Sequence, residues 1–103
     1  MLKNLEIVTV YEGIPEYPRN SEGSIIELDN GDLFIIWQRY EKSDKGSQDD
    51  APNKLMSMKS KDGGKTWGDL CIEVVPQVGD VNVYSPNLLR LKDGSILFIH
   101  KRY

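Results

Sequence analysis

Apolar and polar positions in this chain fall into short runs punctuated by Gly, Asn and Asp, and no stretch of ten or more residues repeats at helical spacing. Two continuous apolar runs stand out, Leu33-Phe34-Ile35-Ile36-Trp37 and Ile96-Leu97-Phe98-Ile99. Each follows an apolar segment and a turn signal, Asn30-Gly31 in the first case and Asp93-Gly94 in the second, so each predicts a β-hairpin with a two-residue turn. The runs do not alternate with polar residues, which predicts sheets covered on both faces. Between the hairpins lie a polar loop from Glu41 to Pro52, a third strand from Asn53 to Ser60 with Met56 and Met58 on one face, and a fourth, outer strand from Thr66 to Val75. Pro76 to Asp80 crosses to the second hairpin, and Leu5-Glu6-Ile7-Val8-Thr9-Val10 reads as one further strand. The fold class is all-β.

The two hairpins are copies of one unit. Residues 24–40 align with residues 87–103 without a gap, each position shifted by 63 (Gly31 to Gly94, for example). Leu28/Leu91, Gly31/Gly94, Ile36/Ile99, Arg39/Arg102 and Tyr40/Tyr103 are identical, and five of the other pairs exchange one apolar residue for another. A strand-built repeat of this length points to a propeller or a similar array.

Between the third and fourth strands stands Ser60-Lys61-Asp62-Gly63-Gly64-Lys65-Thr66-Trp67. An Asp followed by two Gly residues makes a tight turn, the carboxylate taking backbone N–H groups and Gly supplying positive φ. Ser60, Asp62, Gly63, Thr66 and Trp67 match the five characteristic positions of the Asp box, and the chain resembles the sialidase-like (BNR/Asp-box) β-propellers. The resemblance implies one complete four-stranded antiparallel blade over about residues 24–75 and the start of a second over 84–103. It also implies a strand over about 1–12 that closes the last blade. The whole is then the N-terminal portion of a six-bladed propeller. Within the family the Asp box is structural, folding a hairpin on the outer side of a blade.

The same resemblance implies hydrolysis of a glycoside carrying terminal sialic acid or a similar acidic sugar, with no cofactor and no metal. Arg19 stands just ahead of the first blade, where sialidases carry an Arg that grips the substrate carboxylate; here Pro18 precedes it and Asn20-Ser21 follows, a departure from the family's Arg-Ile-Pro. A planar guanidinium suits that task through two parallel hydrogen bonds. Arg39 is the second candidate, although its repeat partner Arg102 argues equally for a structural duty. The family's general acid/base aspartate falls in the polar loop, at Asp50 or Asp49, with Asp44 the choice when counting forward from Arg39. Asn82, Tyr84 and Ser85 introduce the second blade and are candidates to line the pocket; the alternative is an ordinary turn with Pro86 at a strand start. The family's nucleophilic Tyr and its Glu partner have no match here, and Tyr40 and Tyr103 read as packing residues. A non-catalytic carbohydrate- or protein-binding propeller is the other reading, since fold alone does not decide activity.

Composition narrows the classes. The 103 residues carry a net charge of −3 with acids and bases interspersed, and no basic run suggests a nucleic-acid surface. The single cysteine, Cys71 in Leu70-Cys71-Ile72, reads as a buried thiol, and His100 has no second ligand at metal spacing. No apolar run reaches the length of a membrane span and no signal peptide is evident, so a cytoplasmic, membrane-free protein is expected. One and a half blades leave apolar faces and strand edges open. The isolated chain is therefore expected to self-associate, or to fold poorly.

Overall fold

The computed structural model describes residues 5–44, 51–68, 72–75 and 82–102. The protein is all-β among these residues. Strands β1 (Arg19–Glu27), β2 (Leu33–Tyr40), β3 (Asn53–Ser60) and β4 (Ile72–Val75) form an antiparallel sheet in the order β1-β2-β3-β4. Strands β5 (Val83–Arg90) and β6 (Ile96–Arg102) form a second, two-stranded sheet. β5 lies against β1, β2 and β3, so the hairpin packs on one face of the larger sheet.

Side-chain alternation along β2 sorts the core into two layers. On the front face Ile36 and Leu55 meet Val83 of the hairpin, with Phe34, Val75, Leu88 and Phe98 packed around them. On the back face Trp37, Met56 and Met58 cluster with Val10, Tyr11, Ile35 and Trp67. The continuous apolar run of β2 is thus used on both sides, as its lack of alternation demands. β2 and β3 pair without interruption from Leu33↔Ser60 to Tyr40↔Asn53, which sets Ile35 beside Met58 and Trp37 beside Met56.

Several local expectations need correction. Residues 5–12 form no strand: Val10 and Tyr11 instead lie over Trp37, and this segment makes only an isolated bridge further on, Ile14↔Tyr17. β1 starts at Arg19 rather than Ser24, because a bulge between Ser21 and Gly23 carries the pairing with β2 back to Arg19↔Tyr40. The hairpin loops hold three residues, not two. Leu28 N–H donates to Asp32 O at 2.7 Å and Leu91 N–H to Ser95 O at 2.8 Å, and within each loop only the Gly has positive φ (Gly31 90°, Gly94 89°). A two-residue type I′ turn would need positive φ at both central residues, whereas a type I turn closed by a left-handed Gly needs it once. The described part of the outer strand begins at Ile72; Thr66, Trp67 and Gly68 precede it outside any strand, although Gly68 N–H still reaches Lys59 O at 2.7 Å. Cys71 and Tyr103 lie outside the described residues.

Candidate functional site

The Asp box closes as a self-contained hydrogen-bonded turn. Ser60, the last residue of β3, donates its hydroxyl to Asp62 Oδ1 at 2.8 Å and accepts Gly64 N–H at 2.9 Å. Asp62 accepts Thr66 N–H at 2.9 Å and the Thr66 hydroxyl on its other oxygen. Gly63 (φ 76°) and Gly64 (φ 94°) supply the left-handed backbone. Trp67 donates its indole N–H to Gly64 O at 3.1 Å and lays its ring against the back-face cluster. Trp67 is only half-buried, so Trp67→Ala is expected to cost about 1.5–3 kcal/mol, as for one large apolar side chain, read from urea unfolding. A variant of unchanged stability would show that the ring packs on nothing of consequence.

The Thr66 hydroxyl and backbone N–H, followed by Ser60, hold the Asp62 carboxyl down from 3.8 to about 2. A depressed carboxyl contributes stability that is complete above its unfolded value and is lost as pH falls through the folded one. The turn should therefore loosen between about pH 4 and pH 2, seen as faster amide exchange at Thr66 and Gly64. The Asp62→Asn variant should lose that step, and an unaltered acid profile in the variant would refute it. Asp62, Gly63 and Thr66 are exposed, and the hydrogen bonds of the turn are made within it.

The polar chemistry gathers instead at the seam between the two sheets. Asn53 is fully buried (0% exposed), donates Nδ2 to Val83 O at 2.6 Å and accepts Val83 N–H at 2.8 Å. Gln38, also buried, accepts Ser85 N–H at 2.7 Å and donates to the Tyr40 hydroxyl at 2.8 Å. Two side-chain amides thus replace a strand partner for the backbone of β5. Beside them the repeat meets itself. Glu22 (φ 34°) and Ser85 (φ 54°) are the described non-glycine residues with positive φ; each sits in a bulge, and they stand 63 positions apart. Ser85 Oγ donates to Glu22 Oε2 at 3.2 Å. A left-handed backbone at non-glycine residues is unfavourable, and bulges of this kind re-aim side chains.

The sequence candidates distribute around this seam. Arg19 stacks its guanidinium over the Tyr40 ring at 4.6 Å, on the seam side. Tyr84 is half-buried with the Lys101 ammonium 5.7 Å above its ring, and Asn82 is buried and donates to Ala51 O at 3.3 Å. Arg39 lies on the opposite face of the sheet. It stacks on Tyr17 at 3.7 Å and donates to the Tyr11 hydroxyl at 3.3 Å, holding the N-terminal segment. Arg19 and Arg39 therefore do not converge, because the cross-strand neighbours Arg19↔Tyr40 and Asn20↔Arg39 point to opposite sides of the pleat. Next to Arg39, Lys54 bridges Glu73 at 3.1 Å and Glu41 at 3.8 Å, and the hydrogen bond to Glu73 raises its pKa. Asp49 and Asp50 lie outside the described residues, and Asp44 is exposed on a turn. Glu22, Gln38 and Asn53 were not apparent as candidates from sequence; the signal that could have found Glu22 is its register with Ser85 in the repeat. Among the described residues no group of His, Cys, Asp and Glu could hold a metal ion, and no helix is long and apolar enough to cross a membrane.

Comparison with known protein families, with curated proteins and with solved structures found no match.

Proposed function

We propose that the two sheets are neighbouring blades of a sialidase-like Asp-box propeller, and that the seam at the start of β1 and β5 is its sugar-facing side. The observation that carries this reading is the pair of repeat-related bulges at Glu22 and Ser85, in contact with one another. Left-handed non-glycine backbone costs free energy, and it collects where side chains must be aimed. The closed Asp-box turn supports the architecture. In this reading Arg19, stacked on Tyr40, grips the carboxylate of an acidic sugar such as sialic acid, and Glu22, Tyr84 and Ser85 meet its hydroxyl groups. Titrating N-acetylneuraminic acid into isotope-labelled chain should shift the amides of Arg19, Glu22, Tyr84 and Ser85, and Arg19→Ala should abolish the shifts. Equal shifts with neutral galactose, or none at these four residues, would sink the reading.

Binding without hydrolysis is the better description of the 103-residue chain. Tyr40, the tyrosine at the centre of the seam, is buried with its hydroxyl engaged by Gln38, so it packs rather than attacks. Glycoside hydrolysis needs a proton donor and a group on the opposite face of the sugar. In the parent family's hydrolysis the acid would come from Asp50 or Asp49, and the family's nucleophilic Tyr and its Glu partner have no match among these residues. Purified chain is expected not to turn over a fluorogenic sialoside. Robust turnover abolished by Asp50→Ala would overturn that expectation.

A further inference from the structure

Asn30 is followed by Gly31, and no other asparagine in the sequence precedes a glycine. The pair forms the tip of the loop between β1 and β2, where Asp29, Asn30 and Gly31 are all exposed. A carboxamide in that position lies within reach of the next backbone nitrogen. Gly31 raises no steric barrier, since a Cβ built on it would meet nothing within 4 Å, and a ring can close there without a clash. The Asn30 side-chain carbonyl already accepts Asp32 N–H at 3.0 Å, a donor placed to stabilise the oxyanion that attack would create. The Asn30 amide nitrogen donates to Asp32 Oδ2 at 3.2 Å, which sets a proton carrier beside the group that must leave. One bond restrains the attacking nitrogen, Gly31 N–H to Leu28 O at 2.9 Å. It belongs to an exposed turn, where local opening is least costly.

We infer that Asn30 deamidates in the folded protein through a succinimide formed with Gly31. The Gly31 nitrogen loses its proton and bonds to Asn30 Cγ; the Cγ–Nδ2 bond breaks, and the nitrogen leaves as ammonia after taking up a proton. Water then opens the ring at either carbonyl, leaving aspartate or isoaspartate at position 30, with no oxidant or reductant required. The two Asp-Gly turns resist the same closure, which needs an uncharged acid. The Thr66 hydroxyl and N–H hold the Asp62 carboxyl down to about 2, and the Ser95 hydroxyl and N–H hold the Asp93 carboxyl below its ordinary value. The repeat also shows what the products meet. In the second loop Asp93 Oδ1 accepts Ser95 N–H at 2.9 Å and the Ser95 hydroxyl at 2.6 Å. An aspartate at position 30 would instead face the Asp32 carboxylate, so a hydrogen bond becomes a repulsion. Isoaspartate in addition lengthens the main chain by one carbon and breaks the turn bond from Gly31 to Leu28. This loop anchors the neighbouring hairpin, because Asp29 pairs with Arg90 at 3.0 Å and Arg90 also donates to Glu27 O. Deamidation therefore loosens a joint at the end of β1 opposite Arg19, and the inference is independent of the sugar reading.

Incubating the 103-residue chain at neutral and mildly alkaline pH, with tandem mass spectrometry that separates aspartate from isoaspartate, tests this. The expected result is a mass gain of about one dalton confined to the peptide that carries Asn30, with both isomers present and a rate that rises in proportion to hydroxide. In the deamidated fraction, amide exchange at Leu28 and Gly31 should quicken severalfold while β2 keeps its protection. Asn30→Ser retains an acceptor for Asp32 N–H and should abolish the mass gain. An Asn30 that stays intact in the folded chain while reacting in urea would overturn the inference. So would aspartate as the sole product at a rate indifferent to pH, the mark of direct hydrolysis.

Discussion

Trp37→Ala is expected to destabilise the protein by about 3–5 kcal/mol, the range for removing a buried Trp from a packed core. The indole is 6% exposed and joins Met56 and Met58 to Val10 and Tyr11, so its loss opens a cavity between the sheet and the N-terminal segment. It also strands a polar atom, because the indole N–H donates to Asn20 Oδ1 at 2.8 Å, and it removes the ring contact with Tyr11 at 5.3 Å. A domain of about 100 residues has about 5–15 kcal/mol in total, so the variant should be largely unfolded at 25 °C or shifted far down in urea midpoint. Trp37→Phe keeps most of the apolar volume and loses the N–H, and should fall between the two. A loss below about 1 kcal/mol for Trp37→Ala would mean that the back-face cluster is not a core.

Asn53→Ala should have the second largest effect and a different character. It leaves both the N–H and the C=O of Val83 unpaired in a buried position, at about 1–3 kcal/mol for each group. The damage falls on the junction of the two sheets, not on the first sheet. Hydrogen exchange should therefore show β5 and β6 losing protection while β2 keeps most of its own. Asn53→Asp should be nearly as harmful, since a carboxylate accepts from Val83 N–H but faces Val83 O with no hydrogen to give. Equal loss of protection across both sheets would show that Asn53 supports one cooperative unit rather than a joint.

Much of the secondary structure was legible because its causes are local. The β2 run, the Asn53–Ser60 strand and the glycine-punctuated loops follow from periodicity and from the few residues that tolerate positive φ. The Asp-box turn was legible for the same reason: each of the hydrogen bonds among Ser60, Asp62, Gly64 and Thr66 joins residues no more than four positions apart. Turn length was less so, since Asn-Gly suits both a two-residue I′ turn and the last two places of a three-residue loop; only the conformation of Asn30 separates them. The N-terminal segment misled for a physical reason. β-propensity measures fitness for a sheet, and a strand forms only where a partner edge is within reach.

By itself the sequence determined the all-β class, the 63-residue duplication, the two-sided burial of β2 and the Asp-box turn, all of them consequences of neighbours along the chain. Only the tertiary structure decided the rest. It sent Arg19 to the seam and Arg39 to the back of the sheet, because the register of β1 against β2 turns on a bulge that pattern does not reveal. It set Glu22 against Ser85 and closed Asn53 and Gln38 on the backbone of β5, across 30 to 63 residues of chain. Those pairings follow from how one repeat stacks on the next. That stacking is fixed by burying Ile36, Leu55 and Val83 together, a long-range event with no local signature.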